Sequence, residues 1–286
     1  MRAEVIEITP ELAKDLLKRN VNNRSLSQKK LKIYVEDMKN GKWVLNGETI
    51  QFNKKGELIN GQHRLTAVIL SGVTIQVLIV TGVEDDRAFA TIDQGLMRGA
   101  HTVLQLKGVK NAKRMESISK KLLIWDTTEN KENFSTLSGK SFSITTIAEY
   151  YEDHQEEIDF VYDQFKDAPI LRTCKAFTGV FVALTICYRY NPKDTLTFIE
   201  KFKTGANLSE NHPILLLRNK LTHRTVKETG RRWELEVMAM IIKSFNNYVS
   251  GKTSRLLRWN IENEKFPIPR KKIFEFNREV IRSKAN

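Results

Sequence analysis

The stretch Thr49-Ile50-Gln51-Phe52-Asn53-Lys54-Lys55-Gly56-Glu57-Leu58-Ile59-Asn60-Gly61-Gln62-His63-Arg64 decides how the first third of this chain folds. Thr49 to Phe52 is rich in β-formers, Asn53-Lys54-Lys55-Gly56 carries turn residues, and Glu57-Leu58-Ile59 returns as a second short strand. Asn60-Gly61 breaks that strand. Gln62 to Ser71 then places Leu65, Val68 and Ile69 on one helical face, and Gly72 stops the helix. The run Thr74 to Val80 (TIQVLIV) is nearly continuously apolar, as expected of a strand buried on both faces. Strand, helix and strand in this order predict a mixed α/β unit.

Upstream, Glu4-Val5-Ile6-Glu7-Ile8 alternates polar and apolar and reads as a strand. Thr9-Pro10 opens a helix that runs to about Asn20, with threonine at the cap and proline in the first turn. After the loop Asn22-Asn23-Arg24-Ser25, Ser27 starts a second helix with Leu31, Ile33, Tyr34 and Met38 on its apolar face. Downstream, residues 85–110 read as short helices around Asp93-Gln94-Gly95. From Ala112 onward the periods are helical, covering about 112–127, 144–166, 172–190, 193–203, 209–222 and 226–249, with Ser143, Thr173 and Ser209 as caps. His212-Pro213 reads as a helix start, and the polar stretch Thr127 to Lys140 as a linker or long loop. The expected fold class is α+β: a mixed α/β domain over 1–110 and an all-α domain over 111–286.

The turn at Asn60-Gly61 has chemistry of its own. A helix start presents backbone N–H groups and the positive end of the helix dipole to an anion. Gly61 lets a phosphate approach the backbone, Arg64 offers a forked, permanently charged donor, and His63 can donate or shuttle a proton. On spacing alone, a plain turn with a surface arginine fits as well.

The hairpin followed by a G-x-x-R turn and helix resembles the ParB/sulfiredoxin superfamily. ParB proteins have GERR here and sulfiredoxins GCHR; Gly61-Gln62-His63-Arg64 is similar to the GQHR of DndB-type proteins from DNA-modification systems. Glu57-Leu58-Ile59 before the turn, Leu65-Thr66-Ala67 after it and Gly72 before the next strand fall where ParB-like domains place them. The chain is also similar to mostly phage-borne ParB-like proteins, through Asp93 to Arg98 (DQGLMR), His212-Pro213, Arg255 to Trp259 (RLLRW) and Phe266-Pro267.

The resemblance implies a nucleotide site for CTP or ATP with Mg²⁺. Its phosphates would lie on Asn60, Gly61, Gln62, His63 and Arg64, with Arg24, Asp93 and Arg98 approaching from flanking segments; the catalytic candidates are Glu57, as the carboxylate for Mg²⁺ or proton transfer, and His63. Asn22-Asn23-Arg24 stands where ParB proteins have QPR, and Asp93–Arg98 has one additional residue before its arginine than their ENxxR box. These departures leave the base of the nucleotide open and weaken the case for a sliding clamp. Sulfiredoxin activity needs a reactive cysteine inside the turn, and Gln62 stands there instead.

Composition sets the partners. Apolar residues make up 41% and charged residues 28%, a globular balance, and the net charge is +13. Residues 211–286 contain 17 Lys/Arg and 7 Asp/Glu, whereas 141–170 contain one lysine and eight acids. This lopsidedness points to a polyanion, and Arg224, Arg231, Arg232, Arg255, Arg258, Arg270, Lys271 and Lys272 are the residues expected on nucleic acid. Trp233 and Trp259, interleaved with them, are expected in the core, and the acids of 149–159 on a solvated helix face. Cys174 and Cys187 sit in apolar helical patterns, so neither a structural disulfide nor a metal site is expected. No apolar run has membrane-spanning length and the N-terminus lacks a signal-like stretch, so a cytoplasmic location is expected.

The sequence therefore predicts a nucleotide-dependent DNA-binding protein of ParB-like type, with slow NTP hydrolysis (CTPase or ATPase) acting as a switch. A homodimer is compatible with this. The competing readings are a nuclease, kinase or transferase of the same fold, and a phage anti-defence or interaction protein with a vestigial site.

Overall fold

The computed structural model describes residues 1–21, 23, 25–83, 99–135, 140–223 and 230–270. The chain forms two compact units, one of residues 1–99 with 141–146 and one of 100–140 with 147–286. The architecture is α+β. The expected division lay at 110/111; the contacts place the short helix at 100–106 in the second unit.

The first unit contains β1 (Arg2–Ile8), α1 (Pro10–Leu17), α2 (Gln28–Lys39), β2 (Thr49–Asn53), β3 (Leu58–Asn60), α3 (Gln62–Ser71) and β4 (Ile75–Val83). The sheet order is β1-β4-β2-β3. β4 pairs antiparallel with β1 (Ile8 opposite Ile75) and parallel with β2 (Thr49 opposite Leu78), while β2 and β3 close an antiparallel hairpin. This mixed sheet follows from the chain path. β2 turns tightly into β3, and α3 carries the chain back to a strand parallel to β2.

Local chemistry sets the ends of the helices. Thr9 caps α1 by accepting from the Leu12 amide, with Pro10 in the first turn, and Ser27 caps α2 by accepting from Lys30. Gly72, at φ 72°, stops α3. Ile8, Leu31, Met38, Ile50, Phe52, Leu65, Val68, Ile75, Val77 and Ile79 form the core of this unit. One sequence expectation needs correction. β4 is buried on one face: Ile75, Val77 and Ile79 are buried, while Gln76 is exposed and Leu78 and Val80 are half-buried. Alternate side chains of a strand point to opposite faces, and only the first set joins the core.

The second unit is helical: α4 (Ala100–Leu106), α5 (Ala112–Asp126), most of α6 (Ile144–Phe165), α7 (Leu171–Cys174), α8 (Phe177–Tyr190), α9 (Pro192–Thr204), α10 (Pro213–Thr222) and α11 (Gly230–Val249). α8, buried from Gly179 to Cys187, packs against α11, α9 and α5. Stacked Phe165 and Phe202 and tilted Phe198 fill the space between helices. Three expectations change here. The period over 172–190 is two helices, broken at Lys175 in the left-handed region (φ 49°). Thr173 therefore lies within α7 and caps nothing downstream. α10 is capped by His212, whose ring accepts from the Ile214 amide, and not by Ser209. The polar stretch after α5 is anchored: Phe134 is buried against Trp125 and Phe266. Among the described residues, no helix is long and apolar enough to cross a membrane.

Candidate functional site

The turn that opens α3 is built around Gly61, which takes φ 108° and ψ 3°. A Cβ there would sit 2.8 Å from Ile50 Cγ1. The glycine is thus required by its conformation and by the close passage of β2. The three side chains that follow are buried: Gln62, His63 and Arg64 are 6%, 7% and 8% exposed. This decides how the motif works, since each side chain is engaged by protein. Gln62 Oε1 accepts from Asn20 Nδ2 at 3.2 Å, and His63 Nε2 accepts the Ser27 amide at 2.8 Å. Arg64 donates through Nη1 to the Thr49 carbonyl at 2.9 Å and through Nη2 to the Glu48 carboxylate.

The loop between α1 and α2 is fastened to the same turn. Asn23 Nδ2 donates to the Leu58 carbonyl at 2.6 Å and to Asn20 Oδ1, and the Leu58 amide donates to the Arg19 carbonyl. Asn60 ends β3 opposite Gln51. Glu57 closes the hairpin: Oε2 accepts from Asn53 Nδ2 at 2.7 Å, and its amide donates to Asn53 Oδ1. Sequence reasoning named Asn60, Gly61, Gln62, His63 and Arg64, five consecutive residues, as one site. It missed Asn20, Ser27, Glu48 and Thr49, which lie 15 to 42 positions away in sequence and follow no pattern around the turn. Arg24, Asp93 and Arg98 lie outside the described residues.

The charge on Arg64 is matched by Glu48. The arginine side chain is 10% exposed and the glutamate 55%. A phosphate that reached this guanidinium would take the place of the Glu48 carboxylate, which can swing toward solvent. Among the described residues, no group of three Asp, Glu, His or Cys side chains could hold a metal ion. Glu57 is the carboxylate nearest the turn in sequence, and Asn53 already orients it. A magnesium ion here would be held chiefly by phosphate oxygens and water, as this ion commonly is.

The residues expected on nucleic acid belong to the second unit. Arg231 and Arg232 begin α11 and are exposed. Arg232 pairs with Glu236 and Glu262, and these contacts, the Glu236 hydrogen bond first, hold its pKa above the ordinary value. Beyond α11 the chain runs back along the helix. Lys243 binds the Arg258 carbonyl and Glu264, and Arg270 binds Ser250. In the segment Arg255-Leu256-Leu257-Arg258-Trp259, Leu257 and Trp259 are buried and both arginines are exposed. Among the described residues neither arginine forms an ion pair. Trp233 is 2% exposed and donates to the Cys174 carbonyl, so both tryptophans are core, as expected. Arg224, Lys271 and Lys272 lie outside the described residues. The acids of α6 are mostly exposed, but Glu157 is bound by Arg189 and Asp159 accepts from Tyr151.

No protein-family model, curated protein or solved structure matches this chain.

Proposed function

We propose that this chain binds DNA through its basic C-terminal region and responds to a nucleotide at the Gly61 turn, in the manner of ParB-like proteins. The observation that carries the reading is the excess of 17 Lys/Arg over 7 Asp/Glu in residues 211–286. Ion pairs engage part of that excess, while Arg255 and Arg258 stay exposed outside them. Exposed arginines of this kind neutralise phosphates and release counterions.

The nucleotide part of the proposal is more specific. Its phosphates would displace Glu48 from Arg64, so that binding energy at the turn is spent partly on breaking an existing ion pair. CTP or ATP is the ligand class that the resemblance supplies, Mg²⁺ would arrive with it, and slow hydrolysis would reset the switch. His63 would contribute as a fixed polar wall in the state where it holds Ser27.

A second reading is favoured by the burial of Gln62, His63 and Arg64 and by their protein partners. In it the turn is a structural clasp, and DNA binding is independent of any nucleotide. One experiment tests the proposal and separates the two. Binding of the full chain to a fluorescent DNA duplex is measured from about 50 to 200 mM salt, where polyanion binding falls steeply. The series is repeated with CTP, ATP, ADP or GTP, each with Mg²⁺. The proposal expects steep salt dependence and a shift in affinity with at least one nucleotide. Affinity that ignores every nucleotide supports the clasp, and absence of DNA binding defeats both.

A further inference from the structure

The second unit contains a cavity of about 790 Å³ that the DNA and nucleotide reading leaves unused. It lies between α4, the start of α5 and the start of α8. Its lining includes His101, Gln105, Lys113, Arg114, Ser117 and Phe177 and, among the described residues, contains no aspartate or glutamate. Lysine and arginine side by side make this open concavity positive, and both side chains reach solvent.

The arginine is held ready. Its guanidinium lies 4.3 Å from the centre of the Phe177 ring, and Nη1 donates to the Tyr162 hydroxyl at 3.0 Å. Stacking on an aromatic face and one hydrogen bond fix the plane of the fork, which lowers the entropy lost when its remaining donors engage an anion. His101 is fixed too: Nδ1 lies 2.7 Å from Glu116 Oε2, and Glu116 Oε1 accepts the Ala100 amide at 3.0 Å. Glu116 is thereby turned to a structural task. Ala112 and Lys113 are the first residues of α5, and Phe177 and Thr178 the first of α8. Neither Asn111 nor Ala176 gives its helix a side-chain cap, so both helix dipoles add to the same sign of field.

We infer that this cavity binds a small phosphorylated anion, with Arg114 gripping the phosphate in bidentate fashion and Lys113 as the second charge. The volume leaves room for a small phosphate ester and falls in the usual range of small-molecule sites. The site shares no residue with the Gly61 turn and stands whether or not that turn takes a nucleotide.

The test is calorimetric titration of the full chain with inorganic pyrophosphate, with succinate as a dianion lacking phosphate. Lys113 is exposed, so K113E keeps the fold, which unchanged circular dichroism and melting temperature would verify. The expected result is pyrophosphate binding that is weaker by about tenfold or more in K113E, a charge-assisted hydrogen bond being of that size. R114K should also weaken it, because lysine lacks the fork. K14E, at an exposed lysine of α1 outside both sites, should leave it unchanged. Pyrophosphate binding that is absent, is equalled by succinate, is not weakened in K113E, or is weakened as much in K14E would overturn the inference.

Discussion

The imidazole of His63 accepts the backbone amide of Ser27 through Nε2 at 2.8 Å, so a side chain of the α3 turn holds the residue that caps α2. The capping hydroxyl of Ser27 faces Lys30, and its amide faces His63. Replacing the ring with alanine would remove this acceptor and leave a small gap in a buried position. H63A should lower unfolding free energy by about 1–3 kcal/mol in urea denaturation, the range for a lost hydrogen bond with an unsatisfied partner. An unchanged midpoint would show that the contact contributes nothing to folding.

Gly61 and Gly72 flank the same helix and should respond differently to alanine. Both have positive φ, 108° and 72°, but a Cβ at Gly61 also meets Ile50 Cγ1 at 2.8 Å, whereas one at Gly72 meets nothing within 4 Å. G72A should cost about 1 kcal/mol, the conformational penalty alone. G61A should cost distinctly more, about 2–4 kcal/mol, because strain and overpacking add. Denaturation midpoints of the two variants check the order, and equal losses would refute the close-contact argument.

The pair Arg64–Glu48 is unequal in burial, which predicts unequal substitutions. E48Q removes the more exposed partner and should cost no more than about 1 kcal/mol. R64A empties a buried position and strips the Thr49 carbonyl of its donor, for a loss of about 2–4 kcal/mol. If phosphate replaces the Glu48 carboxylate, E48Q also raises nucleotide affinity in a thermal-shift titration. A lower affinity in E48Q would assign the carboxylate a direct role in binding.

His212 gives the second unit a pH dependence of known sign. Burial first, and then the Lys201 charge, lower its pKa from the ordinary value, and its neutral ring accepts the Ile214 amide at the start of α10. The folded state therefore binds this proton less readily than the unfolded state. The contribution is complete above the unfolded value of about 6.5 and is lost as pH falls below it toward the lowered folded value. H212N keeps a capping side chain without this titration. Melting temperatures between about pH 7 and 5 should fall less steeply in H212N than in the unsubstituted chain. Parallel curves would remove His212 from the pH response.

Much of the first unit was legible because its signals are local. Thr9-Pro10, Ser27, Asn53 to Gly56 and Gly72 mark their boundaries within a few residues of where each acts. The break at Lys175 was not legible, because a lysine in the left-handed region carries no glycine or proline to announce it. The face of β4 was misjudged for a related reason: a continuous apolar run does not say how many layers cover a sheet. At the turn, composition revealed the cluster but not its partners. Gln62, His63 and Arg64 meet Asn20, Ser27 and Glu48 only after α1, α2 and the hairpin are in place. The cavity beside Arg114 was missed on the same grounds, since Phe177 and Tyr162 reach Arg114 from distant helices.

The exposed arginines of the 255–259 segment carry the main functional claim, and the salt dependence of DNA binding measures them directly. Fluorescence anisotropy on one duplex, for the unsubstituted chain and for R255A/R258A, gives the slope of log affinity against log salt for each. Each phosphate contact contributes about 0.9 to that slope, so the double variant should be shallower by about 2, with weaker binding at low salt. Identical slopes, or binding that does not respond to salt in either protein, would contradict the assignment of this surface to DNA.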